Sequence, residues 1–176
     1  MIDSMKRISL VVLDIDGTVV TTKSGSPFRE TPDDWKFLPG RQELVRKLLA
    51  DGVNVAIATN QGSVAYGINT QAEIQAELER TVSELAGPAS GEVFLRAAYN
   101  HPKGSVPEYT KDDDFRKPGG GMIRAAMEHF GVAPRETLMV GDRPEDKAAA
   151  EAAGCNFCWA DEFFELSVPA PALELS

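Results

Sequence analysis

The run Ile8-Ser9-Leu10-Val11-Val12-Leu13 carries no charge and almost no polarity, the pattern of a strand covered on both faces. Positions 18–39 are rich in Thr, Ser, Pro and Asp without a helical period, which predicts a long functional loop or a small hairpin flap. Positions 41–50 are amphipathic and closed by Asp51-Gly52, a helix with its stop signal. A second strand is expected over 53–58. Thr70-Gln71-Ala72-Glu73 is a capping box that opens a helix running to about Leu85, and 92–98 reads as a third strand. After an irregular stretch at 99–117 the alternation resumes. A helix is expected over 121–130, a strand over 136–140, a helix over 145–153 ending at Gly154, a strand over 156–160, and a short helix at Glu162-Phe163-Phe164. Strands alternating with helices predict an α/β fold built on a doubly wound parallel sheet. Such sheets place their ligand site beyond the carboxyl ends of the strands. The expected organisation is one domain over 1–166 and a frayed, Pro-rich tail over 167–176.

A chain of 176 residues suits one such domain, and 43% hydrophobic with 26% charged residues is ordinary for a folded protein. The apolar runs are too short to span a bilayer. The N-terminus lacks the long apolar stretch and small-residue cleavage site of a signal peptide, so the reading is a cytoplasmic protein without a membrane partner. The net charge of −9 opposes broad, non-specific binding to nucleic acid, which needs many Lys and Arg contacts. It leaves room for gripping one terminal phosphate in a locally positive pocket. Cys155 and Cys158 are spaced C-x-x-C. The segment 156–160 reads as a buried strand, on which residues three apart face opposite sides. No second cysteine pair completes a metal site, so neither a redox pair nor half a zinc site is expected.

The candidate chemistry gathers at predicted strand ends. Asp14-Ile15-Asp16-Gly17-Thr18 follows the first strand. Two carboxylates two residues apart before a glycine turn suit a divided task, one attacking a phosphoryl group and the other handling protons. The residues after Thr18 lack the ligands of a calcium loop. Thr59-Asn60-Gln61-Gly62 ends the second strand and offers a hydroxyl and backbone N–H groups to phosphate oxygens. Arg116-Lys117-Pro118 precedes a helix, and there Lys117 can neutralise a phosphoryl group. Gly141-Asp142-Arg143-Pro144-Glu145-Asp146 follows the fourth strand. Asp142 can complete, with Asp14, an oxygen set for Mg²⁺. Asp146 is either an acceptor behind that set or an acid favoured by the helix dipole. Arg116 or Arg143 can hold a phosphate bidentately.

In this order the four pieces resemble the haloacid dehalogenase (HAD) superfamily over roughly residues 8–164. The resemblance implies Asp14 as nucleophile of an aspartyl-phosphate mechanism and Asp16 as general acid/base. It implies Thr59 and Lys117 as phosphoryl stabilisers, and Mg²⁺ on the Asp14 side chain, the Asp16 carbonyl and Asp142. Asp16 must then carry a proton to assist departure and lose it to activate water, and nearby carboxylates are expected to raise its pKa accordingly.

Two branches of the superfamily are similar. Thr21-Thr22-Lys23-Ser24-Gly25, Phe28 and Pro32-Asp33-Asp34-Trp35 resemble the flap of polynucleotide 3′-phosphatases. The later motifs also resemble heptose-bisphosphate and histidinol-phosphate phosphatases. Members of that second branch often carry a structural zinc in the loop before the Arg-Lys-Pro. Here 98–102 and 113–115 hold no cysteine, so no structural zinc is expected. Neither connecting segment is long enough for a cap domain, and an uncapped site admits the end of a polymer. The sequence therefore leans to a 3′-phosphate on a nucleic acid or nucleotide. A small-metabolite phosphatase is the alternative, and a catalytically silent binding module, or a partner of a kinase or ligase chain, is a third class.

Overall fold

The computed structural model describes residues 7–88 and 91–167. Apart from Ser167, the tail expected to fray lies outside the described residues. Five parallel strands form the main sheet. In chain order they are β1 (Leu10–Leu13), β4 (Asn54–Asn60), β5 (Val93–Ala98), β6 (Thr137–Gly141) and β7 (Asn156–Trp159), arranged in space as β5-β4-β1-β6-β7. β1 is central. Leu10 sits opposite both Asn54 and Thr137, and Leu13 opposite Ile57 and Val140. The carboxyl ends of β1, β4 and β6 therefore lie next to one another on the same edge of the sheet, β4 running furthest, and the three motifs that follow them meet.

β1 alternates between two cores because successive side chains on a strand face opposite ways. Val11 and Leu13 join Val55 and Ile57 against α1 (Arg41–Ala50), α2 (Gln71–Ala86) and α5 (Ala160–Ser167), with Val45, Leu78 and Phe164 in the layer. Leu10 and Val12 join Ala56 and Ala58 against α3 (Gly121–Phe130) and α4 (Pro144–Ala153), through Met122, Ile123, Ala149 and Ala150. All four β1 side chains are buried, and burial of each apolar side chain contributes roughly 1.5–3 kcal/mol. The capping box is formed in both directions: Glu73 N donates to Thr70 Oγ1 at 3.2 Å, and Thr70 N to Glu73 Oε2 at 2.9 Å.

One expectation is corrected. β7 is an edge strand with Asn156 and Trp159 exposed, not a buried one. It has a neighbour on one side only, and Cys155 and Cys158 are free and half-buried. Trp35, from the flap, joins the core layer that α1 and α2 cover and is absent from the cavity lining. It is buried, its indole N–H donates to Glu77 Oε2 of α2 at 2.8 Å, and the Arg80 guanidinium lies over the ring at 4.9 Å.

Residues 18–39 form the flap. β2 (Val20–Thr21) and β3 (Lys36–Phe37) pair antiparallel at its base, and Asp34 ties its tip. The Asp34 carboxylate accepts from Ser24 Oγ at 2.6 Å, Ser24 N at 2.9 Å and Glu30 N at 3.0 Å. The Ser24 hydroxyl and then the Glu30 amide hold its carboxyl down, to about 2. A depressed folded pKa contributes stability that is whole above the ordinary carboxylate range and is lost as the pH falls toward about 2. Asp34→Asn removes that contribution at neutral pH. Tryptic cleavage after Lys23 and Arg29 is expected to quicken, while the melting of the sheet changes little. Unchanged cleavage would mean that the flap is held elsewhere.

Candidate active site

The backbone after β1 is set before any side chain acts. Asp14 N donates to Val140 O at 3.0 Å, continuing the β1–β6 ladder one step past the strand. The chain then turns: Val20 N donates to Ile15 O at 3.1 Å and Gly17 N to Val20 O at 2.8 Å. This pairing uses the carbonyl of Ile15 and leaves that of Asp16 out of it. Gly17 has φ +86°, and a Cβ there would run into the Asp142 carboxylate, so only glycine suits the position. Arg41 of α1 locks the turn from behind. Its Nε donates to Thr18 O at 2.9 Å while its guanidinium lies 4.1 Å over the Phe164 ring.

Asp14 is buried at the floor. Lys117 Nζ donates to Asp14 Oδ1 at 2.8 Å and to Asp146 Oδ1 at 2.6 Å. Asp146 Oδ2 accepts from the N–H groups of Asp142 and Arg143, both at 3.1 Å. Asp146 thus does both things foreseen for it, since it aims the lysine and caps the start of α4. Thr18 Oγ1 lies 3.4 Å from Asp14 Oδ2 and 3.2 Å from Asp142 Oδ1. Burial pushes the Asp14 carboxyl up, to about 8. Lys117 pulls it back, and Asp146 and Asp142 add to the rise. Burial also works against the Lys117 ammonium, but Asp14 and Asp146 outweigh it and its pKa is raised.

Carboxylate oxygens of Asp14, Asp142 and Asp146 lie within 4.8 Å of one another, with one ammonium among them. Two further units of positive charge would balance the three carboxylates, and hard oxygen donors suit a divalent cation such as Mg²⁺. Asp146 has both oxygens engaged, so Asp14 Oδ2 and Asp142 are the groups with capacity left for a metal.

Thr59 is buried at the end of β4, its Oγ1 accepting from Gln61 Nε2 at 2.8 Å. Asn60 and Gln61 line the cavity, and their side chains are engaged within the protein. Asn60 clamps the Lys117 backbone, with Nδ2 donating to Lys117 O at 2.9 Å and Oδ1 accepting from Lys117 N at 3.0 Å. The Gln61 amide N–H groups go to Thr59 and, at 3.0 Å, to Asp16 Oδ2. Arg116 and Arg143 stand at the rim, Arg116 half-buried with Nη1 donating to Asn100 O at 3.0 Å. The surroundings of Asp16 also differ from expectation. The crowding of carboxylates falls on Asp14, while Asp16 meets donors from Gln61 and from Arg29, whose Nε is 2.8 Å from Asp16 Oδ1.

Every site residue foreseen from the sequence lines one cavity of about 780 Å³. Its mouth adds residues that sequence reasoning passed over: Arg29, Tyr66, Ile68 and His101. Phe28, Tyr66 and Ile68 are exposed there. His101 Nδ1 accepts from Lys103 N at 3.0 Å, and its ring is 5.1 Å from that of Tyr66. Burial, then the nearby Arg116 and Lys103, hold it below the usual histidine range. Arg29 carries no signal in an aperiodic polar loop, since only the folded hairpin returns it to the strand end. Among the described residues no helix is long and apolar enough to cross a membrane.

The family model for polynucleotide kinase 3 phosphatase matches residues 9–169. The D-glycero-beta-D-manno-heptose-1,7-bisphosphate 7-phosphatase of Escherichia coli (strain K12) is 32% identical over 151 residues, covering 84% of this chain and 76% of that protein. The enzyme of the same name from Pseudomonas aeruginosa is 34% identical over 149 residues, covering 84% and 78%. Among solved structures, D,D-heptose 1,7-bisphosphate phosphatase from B. bronchiseptica, complexed with magnesium and phosphate, matches with TM-score 0.64 and 26% identity. The match covers 94% of this chain and 89% of that one. A HAD-like phosphatase from Mesorhizobium loti matches with TM-score 0.71 and 25% identity, covering 84% and 69%.

Proposed function

The chain belongs to the polynucleotide kinase 3 phosphatase family within the HAD superfamily, a phosphoric monoester hydrolase, and on that footing we propose that it works through an Asp14 acyl phosphate on a small phosphorylated metabolite of the sugar-bisphosphate kind. The observation that carries the chemistry is the buried ammonium of Lys117 shared between Asp14 and Asp146. It leaves one Asp14 oxygen facing the cavity.

An Asp14 oxygen attacks phosphorus and the ester P–O bond breaks. Asp16, as the carboxylic acid, gives its proton to the departing oxygen. Asp16, now a carboxylate, takes a proton from water as the water oxygen attacks phosphorus, and the bond from phosphorus to Asp14 breaks. Phosphate leaves, and both carboxyl groups return to their starting forms. Lys117, held in place by Asp146 and by the Asn60 clamp, neutralises charge on the transferring group. Mg²⁺, held by Asp14, Asp142 and the Asp16 carbonyl, would supply further charge neutralisation at the phosphoryl oxygens.

The comparisons support the small-metabolite alternative better than the 3′-phosphate reading to which the sequence leaned. The relatives named above are heptose-bisphosphate phosphatases. In this chain Arg116 and Arg143 stand at the rim, where a second anionic group of such a substrate would lie. One observation favours the nucleotide reading: Phe28 on the flap is 70% exposed beside the cavity. Stacking of a base on such a ring is worth roughly 1–3 kcal/mol. The test is kcat/KM for a heptose 1,7-bisphosphate against histidinol phosphate and a 3′-phosphorylated oligonucleotide. The bisphosphate is expected to lead by at least about tenfold, which is about 1.4 kcal/mol of transition-state discrimination. A lead for the oligonucleotide that Phe28→Ala abolishes would transfer the assignment to nucleic-acid ends.

Metal dependence follows from the same donors. A chelator is expected to abolish turnover and Mg²⁺ to restore it. Elemental analysis is expected to find no stoichiometric zinc, because 99–117 offers histidine and carboxylates but no thiolate. One tightly held zinc per chain would contradict this account of the loop.

A further inference from the structure

Arg29 comes from the flap, thirteen residues after Asp16 in the chain, yet its guanidinium returns to the Asp16 carboxylate in the cavity. Nε donates to Asp16 Oδ1 at 2.8 Å, and Nη1 to Pro32 O at 3.1 Å, which fixes the group within the flap. Its side chain is only 10% exposed, whereas that of Asp16 is 42% exposed. Nη2 is buried with no partner. A buried donor without an acceptor is destabilising, so a residue selected only to staple the flap gains little from being this arginine. What the arrangement achieves is orientation. Gln61, from the end of β4, donates to Asp16 Oδ2 at 3.0 Å. With Arg29 on Oδ1, the carboxyl plane of Asp16 is held from two sides, by two elements, in the direction of the cavity.

We propose that Arg29 is a positioning residue for Asp16, aiming its carboxyl at the leaving oxygen, so that flap order and proton transfer are linked through one side chain. The proposal rests on the acid/base role given to Asp16 above. General acid–base catalysis contributes about 10²–10⁴-fold, and it matters most where the departing oxygen is a poor leaving group. Misaiming Asp16 therefore slows leaving-group release from an alkyl phosphate and spares that step for an activated aryl phosphate, while the later attack of water is common to both.

The experiment measures the single-turnover rate of leaving-group release, and its half-saturating substrate concentration, for Arg29→Gln on the best alkyl phosphate of the substrate panel and on p-nitrophenyl phosphate, in the wild-type and Asp16→Asn backgrounds. Arg29→Gln is expected to lower that rate on the alkyl ester by about 10–100-fold with little change in the half-saturating concentration. On the aryl ester the loss is a few-fold, and in the Asp16→Asn background no further loss appears on either. Arg29→Lys, which keeps the charge but not the planar fork, is expected to recover part of the alkyl rate. Asp34→Asn, which loosens the flap that carries Arg29, is expected to show a weaker loss of the same alkyl-selective kind. Equal losses on both esters, or the same loss in both backgrounds, would reduce Arg29 to a flap staple. If Asp16→Asn itself fails to separate alkyl from aryl esters, the acid/base reading falls and this proposal with it. A selective Asp16→Asn beside an unselective Arg29→Gln overturns the proposal alone.

Discussion

Asp14→Asn is expected to lower phosphate release by on the order of 10⁴-fold or more while the protein stays folded. The substitution keeps the shape of a buried side chain and its acceptor for Lys117, but a neutral amide oxygen cannot form an acyl phosphate. Asp14 lies at the end of the central strand, anchored through its N–H to Val140 O at 3.0 Å, so the backbone has no reason to move. Burial opposes the charged form of Asp14, so replacing the carboxylate by a neutral amide relieves a desolvation cost. Melting temperature is therefore expected to hold or rise. Activity close to wild type would remove Asp14 from the nucleophile's role, and unfolding would show that the charge is needed for structure.

Lys117→Met is expected to harm both stability and activity, in a way that separates the two. The lysine side chain is 3% exposed, and its partners Asp14 and Asp146 are 10% and 2% exposed. Removing the cation leaves two buried carboxylates facing each other. Breaking a buried ion pair in this manner typically costs about 3–5 kcal/mol. Urea midpoints should fall accordingly, and added Mg²⁺ should restore part of the loss, because a metal at Asp14 and Asp142 replaces some of the missing charge. Turnover should stay low even in saturating Mg²⁺, since the ammonium facing the phosphoryl group is gone. A variant as stable as wild type without metal would mean that Asp14 and Asp146 are not both ionised in the native protein.

What could be read from the sequence was whatever depends on neighbours in the chain. The β1 run, the Thr70–Glu73 box and the Gly154 stop are local signals, and the observed elements follow them within a residue or two. The strand-end rule then gathered residues 14–16, 59–61 and 142–146 without any knowledge of contacts. The exceptions are contacts made across the chain. The Asn60 side-chain amide is complementary to the Lys117 backbone, 57 residues away, and no local pattern announces that pairing. Arg29 had no periodicity to reveal it. Trp35 shows the same limit: an aromatic in a polar flap can face a ligand or a helix, and Glu77 settled it by offering an acceptor. The edge position of β7 was hidden because an apolar segment reads alike at the centre and at the margin of a parallel sheet.

The central claim is that phosphate passes through the Asp14 carboxyl, and trapping that intermediate tests it most directly. The enzyme is mixed with Mg²⁺ and substrate, quenched during turnover with borohydride to reduce any acyl phosphate to homoserine, and its peptides are sequenced by mass spectrometry. Homoserine is expected at position 14, dependent on substrate and absent from Asp14→Asn. Homoserine at position 16 or 142 instead, or none at position 14 in an enzyme quenched at full turnover with a control acyl phosphate reduced in the same tube, would contradict the account.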